Sequence, residues 1–167
     1  MGKTTTAGKR RIVISIGKQR LTLLNNSRPE REYRVSTALN GAGELLNSGC
    51  TPRGRHTVRL VIGRNCPLNT VFVGRRATGE IYSAELGLQQ PQRDWILTRI
   101  LWLSGKESGF NRGGECDTLK RYIYIHGTPD CNAMGEPLSH GCIRMRNRDI
   151  VDLCELAGVG TEVNIVE

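Results

Sequence analysis

Cysteine and histidine carry most of the chemistry open to this chain, and two of its three histidines lie within sixteen residues of one cysteine. The stretch runs from His126 to Arg144 and reads HGTPDCNAMGEPLSHGCIR. A cysteine attacks as its thiolate, so it needs a group that lowers its pKa or takes its proton. Histidine does this near neutral pH. His126 ends an apolar run, where a loop can fold it over the Cys142 thiol, and His140 lies two residues from that thiol. Gly141 lets the backbone approach a substrate and adopt dihedrals closed to other residues. The amides of Gly141 and Cys142 can then face a developing oxyanion, as acyl transfer requires. Arg144 has the fork to grip a carboxylate or brace the loop. Two other readings stand beside this one. Free cysteine is most often a small buried hydrophobe, and His126, His140 and Cys142 together form a conceivable metal set. No acidic residue joins that set at matching spacing, and no two of the six cysteines have C-x-x-C spacing, so neither metal nor other cofactor is expected.

The bulk numbers bound the setting. A chain of 167 residues suits one domain with a single core, expected over 11–167, behind a flexible, polar N-terminus at 1–10. The formal charge of +8 favours acidic partners. The positive charges are scattered, however, and with 5% aromatic residues there is no stacking platform, so nucleic acid is not expected as a partner. An even count of cysteines permits disulfides, but a chain of this size stands without them. No apolar run follows the charged N-terminal residues, and no stretch approaches the length of a membrane span. The expectation is therefore a cytoplasmic protein with no membrane span.

Several elements must position the reactive stretch. Arg11–Ile16 and Arg20–Leu24 read as a hairpin around Gly17-Lys18-Gln19. A turn over Asn25–Pro29 leads to a third strand at Glu32–Thr37. Residues 38–54 form a loop rich in Gly, Asn, Ser and Pro, and strands follow at 56–62 and 70–74. Residues 93–103 are apolar on both alternating faces, which suits a strand buried on two sides or a buried helix; the β-rich surroundings favour the strand. After a Gly-rich loop at 104–118, Arg121–Ile125 reads as a strand ending at His126-Gly127. Asn147 is the expected N-cap of a helix carrying Ile150, Val151, Leu153, Cys154 and Ala157 on one face, stopped by Gly158. Glu162–Val166 closes the chain as a strand. The fold class is mainly β with one or two short helices.

Ser139-His140-Gly141-Cys142-Ile143-Arg144-Met145 resembles the signature of the YkuD-type L,D-transpeptidases, a Ser/Thr-His-Gly-Cys core preceded by a further histidine that matches His126 in YIYIHGTP. Val35-Ser36-Thr37 and Cys50-Thr51-Pro52-Arg53-Gly54 resemble two upstream segments of that family, with Ala38 in place of the usual glycine. The resemblance covers about residues 11–167 and implies the family's sandwich- or barrel-like β fold. It implies Cys142 as nucleophile and His126 as its base, the ring oriented by the carbonyl of Gly127. It places His140, Gly141 and the Cys142 amide at the thiol and oxyanion hole, and Tyr124, Ser139 and Arg144 on the substrate side. An enzyme of this kind should carry one fast-alkylating cysteine of depressed pKa at Cys142. The implied substrate is a peptidoglycan stem tetrapeptide, cut between the L centre of diaminopimelate and D-Ala, with carbapenems as acylating inhibitors. Water as acceptor makes an L,D-carboxypeptidase of peptidoglycan recycling, which the expected location favours. An amine acceptor makes a transpeptidase that forms 3–3 crosslinks or exchanges D-amino acids. A non-catalytic basic binding protein is the remote alternative.

Overall fold

The computed structural model describes residues 8–167, so most of the expected flexible N-terminus, residues 1–7, lies outside the described residues. The remainder of that segment is ordered. β1 (Arg10–Ser15) already includes Arg10, and Lys9 exchanges hydrogen bonds with Asn26. β1 is followed by β2 (Arg20–Asn25) and β3 (Arg28–Arg34). Asn26 and Ser27 have φ of 49° and 68°, the left-handed pair that closes a two-residue hairpin turn. The turn is thus shorter than its composition suggests, and β3 starts earlier than expected. Pro29 is tolerated there because β3 is an edge strand.

The chain continues through β4 (Gly54–Ile62), β5 (Thr70–Val73), β6 (Arg76–Ile81), α1 (Ala84–Gln89), β7 (Ile96–Gly105), β8 (Tyr124–Thr128), β9 (Ile143–Arg146), α2 (Asn147–Leu156) and β10 (Glu162–Val166). One sheet runs β3-β2-β1-β10-β4-β7-β5-β6, and β8 pairs with β7 and β9. Among the named strands of the described residues, the β1–β10 and β8–β9 pairs are parallel and the rest antiparallel. The sheet curls into a half-barrel, and the fold is mainly β with two short helices.

Alternation with period two drives this closure. Ile12 and Ile14, Leu21 and Leu23, Leu101 and Leu103, and Val163 and Ile165 point into one core, where α2 lays Ile150, Leu153 and Cys154 against them. The alternate residues of β7 and β8 face the other way: Ile100 and Tyr124 join Phe72 in a second cluster, with Trp102 and Cys142 packed on it. The two-sided burial of β7 is why its sequence is apolar on both faces.

β6 and α1 escaped the sequence reading, because β6 is exposed along almost its whole length and α1 buries no residue. α1 is held instead by Ser83, whose hydroxyl accepts the Leu86 N–H at 3.1 Å. The strand expected at Arg121–Ile125 starts three residues later. Asp117 accepts the Lys120 N–H at 3.0 Å, Tyr122 sits at φ 56°, and the chain turns there before it extends. Asn147 is the first residue of α2 rather than its cap, because its amide is taken up between β7 and β8. Its Oδ1 accepts from Thr98 Oγ1 at 2.5 Å, and its Nδ2 donates to the Thr128 carbonyl at 2.9 Å. At the other end of α2 the cap is Ala157, so Gly158 follows the stop without a left-handed turn.

The third histidine, His56, is structural. It is fully buried, with Nδ1 3.0 Å from the Gly54 carbonyl and Nε2 2.9 Å from Thr118 Oγ1. A carbonyl only accepts, so Nδ1 carries the hydrogen and Nε2 accepts from the threonine. Burial lowers the pKa from 6.5 to about 4. The unfolded chain therefore takes up a proton that the folded chain refuses as pH falls from 6.5 to 4. About 3 kcal/mol of stability should be lost over that window from His56 alone. Urea unfolding at pH 7 and pH 4 checks this: His56→Leu is expected to show a clearly smaller drop than the parent, and an equal drop removes His56 as the cause.

Candidate active site

The register of β8 against β9 brings the reactive stretch together. In this parallel pair Ile125 lies beside Ile143 and His126 beside Arg144, so Cys142, just ahead of β9, comes level with Tyr124 at the start of β8. The Tyr124 N–H donates to Cys142 Sγ at 3.3 Å. Residues 124 and 126 share one face of their strand, opposite Ile125, which sends Tyr124 and His126 to the thiol side. Cys142, His126, His140, Ser139, Arg144 and Tyr124 all line one cleft of about 370 Å³.

His126 is buried, and its Nδ1 lies 2.6 Å from the Gly127 carbonyl. The carbonyl fixes the hydrogen on Nδ1 and leaves Nε2 with its lone pair. Two features set up this contact. Gly127 packs so close to β7 that an added Cβ would stand 2.5 Å from the Leu97 carbonyl oxygen and 2.6 Å from Asn147 Oδ1. Across from it, β7 carries an irregularity between Leu97 and Ile100, where Thr98 adopts φ 74°. That conformation is costly for a β-branched residue. It is held by the Thr98 hydroxyl, which donates to Asn147 and accepts the Asn69 N–H at 3.0 Å.

The loop before Cys142 is braced from within. Gly141 has φ 133°, a conformation favouring glycine, and its carbonyl accepts from Thr51 Oγ1 at 2.9 Å. Ser139 Oγ accepts the Gly141 N–H at 3.2 Å and donates to the Cys142 carbonyl at 2.6 Å. Two expectations change as a result. The Ser139 hydroxyl is used up inside the turn rather than offered to a substrate, and the Gly141 amide is not free for an oxyanion. The Cys142 N–H has no acceptor among the described residues and remains the candidate donor. The upstream segments that carried the resemblance converge here: Ser36 exchanges backbone hydrogen bonds of 2.9 Å with Arg144, and the Ala38 N–H donates to Thr51 Oγ1 at 3.0 Å.

The electrostatics correct a further expectation. The Cys142 thiol is pushed up to about 11, first by removal from water, although the residue as a whole is only half-buried. The Tyr124 N–H and the guanidinium groups of Arg144 and Arg121 pull the other way without prevailing. Burial also lowers His126, against the opposing pull of the Gly127 carbonyl. Burial thus favours the neutral form of both groups and works against a thiolate. The thiol donates to the Tyr122 carbonyl at 3.4 Å in its neutral form.

Arg144 pairs with Asp94 at 3.1 Å, so one of its forks is already occupied. His140 is exposed at the rim, and its ring makes no hydrogen bond among the described residues. Tyr124 contributes through its backbone N–H on the sulfur and its hydroxyl in the cleft. The sequence reading missed Arg121, Arg75 and Asp94. Arg121 anchors the 43–50 loop through the carbonyls of Gly43, Glu44 and Cys50, at 3.1, 3.0 and 2.6 Å. Its place just before the YIYIH strand was the one available signal. Arg75 and Asp94 lie far away in sequence, and nothing local marks them. All six cysteines are free, and no cluster of three or more potential metal ligands occurs among the described residues.

The curled sheet is the fold of L,D-transpeptidase catalytic domains, and its cleft holds Cys142 and the carbonyl-oriented His126 together. The model of that family, YkuD, matches residues 9–165, and the chain belongs to it. YkuD of Bacillus licheniformis, whose name assigns it provisionally to the L,D-transpeptidases, is 44% identical over 46 residues, 28% of each chain. L,D-transpeptidase 3 of Mycobacterium tuberculosis superposes with a TM-score of 0.59 at 17% identity, over 96% of this chain and 62% of its own. An L,D-transpeptidase named LdtMt1, solved in complex with imipenem, gives 0.55 at 18% identity over 95% and 59%. The chain therefore spans less than two thirds of the length of these relatives.

Proposed function

We propose that the protein is a cysteine acyltransferase on peptidoglycan stem peptides that releases D-Ala from the L centre of diaminopimelate, with water as its main acceptor. The observation that carries this reading is the Cys142–His126–Gly127 arrangement, in which the 2.6 Å carbonyl contact leaves Nε2 free to take a proton. Sγ attacks the scissile carbonyl while its proton passes to His126 Nε2, and the Cys142 N–H stabilises the oxyanion. Collapse breaks the C–N bond, His126 returns the proton to the departing D-Ala amine, and a thioester remains. Water then attacks with His126 again as base, and the sulfur leaves and is reprotonated.

The charge of the cleft favours water over an amine. Its walls carry Arg75, Arg121 and Arg144 against Asp94, and Asp94 is already paired. The adjoining depression beyond His140 adds Lys120. An acceptor amine arrives largely as an ammonium ion, which this field repels, whereas water is indifferent to it. A recycling role on free tetrapeptide in the cytoplasm accompanies this reading, and fractionation that finds the intact protein outside the cytoplasmic membrane would remove that role. The second reading, crosslinking or D-amino-acid exchange, is favoured by that same depression, whose volume of about 410 Å³ gives an acceptor somewhere to sit.

Mass spectrometry of the products from a disaccharide tetrapeptide, with and without D-Met, decides between them. Loss of D-Ala with water incorporated supports the hydrolase; dominant D-Met exchange or crosslinked dimer makes it a transpeptidase. Imipenem added to the same sample is expected to increase the protein mass by one drug adduct, and Cys142→Ala should abolish that increase. An adduct that survives in the variant would move the nucleophile elsewhere.

A further inference from the structure

We propose that Arg75 is the specificity residue that binds the terminal carboxylate of the leaving D-residue. The inference rests on the stem-peptide reading above. Gly74 and Arg75, at φ 54° and 65°, form the tight turn between β5 and β6, which carries the Arg75 side chain over the cleft that contains Cys142. The guanidinium lies 4.8 Å from the ring centre of Trp102 and 4.9 Å from that of Tyr122. Its Nη1 donates to the Tyr124 hydroxyl at 3.1 Å. Stacking on two aromatic faces holds the fork in one orientation before any ligand arrives, so little further ordering is needed on binding.

The three cleft arginines differ in what remains open on them. Arg144 is paired with Asp94, and Arg121 spends both terminal nitrogens on the carbonyls of Gly43, Glu44 and Cys50 and on the Ser48 hydroxyl. Arg75 has no carboxylate partner, and its remaining N–H groups have no acceptor among the described residues. A half-buried cation held open towards a cleft is a carboxylate site in waiting. The placement also suits this role, since Arg75 and Cys142 line the same cleft. Tyr124 touches Cys142 Sγ with its backbone N–H and Arg75 with its hydroxyl, so a single tyrosine separates sulfur from guanidinium. The terminal carboxylate of the substrate lies one residue beyond the scissile carbonyl, so the group that binds it must line the same cleft as the sulfur.

The test compares L-Ala-γ-D-Glu-meso-diaminopimelate-D-Ala with the same peptide ending in D-alaninamide. Binding to Cys142→Ser is measured by calorimetry, so that no turnover interferes. The acid is expected to bind about tenfold tighter than the amide, as a charge-assisted hydrogen bond commands. Arg75→Gln in that background should bring the ratio close to one, while Arg76→Gln, which removes the same charge from the exposed neighbouring position, should leave it unchanged. An acid preference that survives Arg75→Gln, equal loss in both arginine variants, or no acid preference in the parent overturns the proposal. Turnover of the acid peptide by the protein with Cys142 intact is measured separately: its absence with the binding ratio preserved would refute the hydrolase reading and leave the Arg75 assignment standing.

Discussion

Replacing Cys142 by alanine is expected to lower turnover of a tetrapeptide by at least about 10⁴-fold while leaving the thermal midpoint close to that of the parent. The loss follows from the proposed role of the sulfur, since among the described residues Cys142 is the one cysteine lining the cleft and its Sγ accepts the Tyr124 N–H. The stability should change little, because Cys142 sits at the edge of the smaller apolar cluster and fills no part of the main core. The buried Cys154 offers the contrast. It belongs to the main core, and its removal should affect folding rather than chemistry. Steady-state turnover together with thermal unfolding of the two variants checks both statements. Substantial turnover in Cys142→Ala would end its assignment as nucleophile.

Replacing His126 by alanine should produce a loss of roughly 10³- to 10⁴-fold at pH 7, and a change in the pH profile that a merely structural role would not cause. In the proposed mechanism the ring, its pKa lowered by burial, takes the thiol proton during attack. The rate is then level across neutral pH. Without the ring, only thiolate that is already ionised attacks. With the thiol pushed up to about 11, that fraction climbs tenfold with each pH unit towards 11. A variant with a flat profile, or one that loses less than tenfold, would assign the proton transfer to another group. His140 would be the first alternative to examine, because it is the other histidine lining the cleft.

Much of this molecule is written locally in its chain. The period-two alternation of β1, β2 and β10 and the apolar face of α2 announce the core without any partner in view, because burial on one face leaves a direct trace in residue type. Elements that bury almost nothing, β6 and α1, leave no such trace and escaped the reading. The thiol, its histidine and the glycine before the thiol were likewise legible, since each has few alternative uses in that order and spacing.

Other features depend on how distant segments meet. Ser139 faces inward because the turn at Gly141 needs its hydroxyl, and Asn147 leaves its capping role because the irregular stretch of β7 needs an amide. The direction of the Cys142 pKa also belongs to the assembled cleft: a neighbouring histidine suggests a thiolate, but removal from water outweighs it. The sequence alone therefore determined the fold class and pointed to the pair of groups proposed to react, through patterns carried by neighbouring residues. Only the tertiary structure decided the burial that opposes ionisation of that pair and which arginine lacks a carboxylate partner, because both depend on water exclusion and on partners brought from β5, β7 and β8 across the sheet.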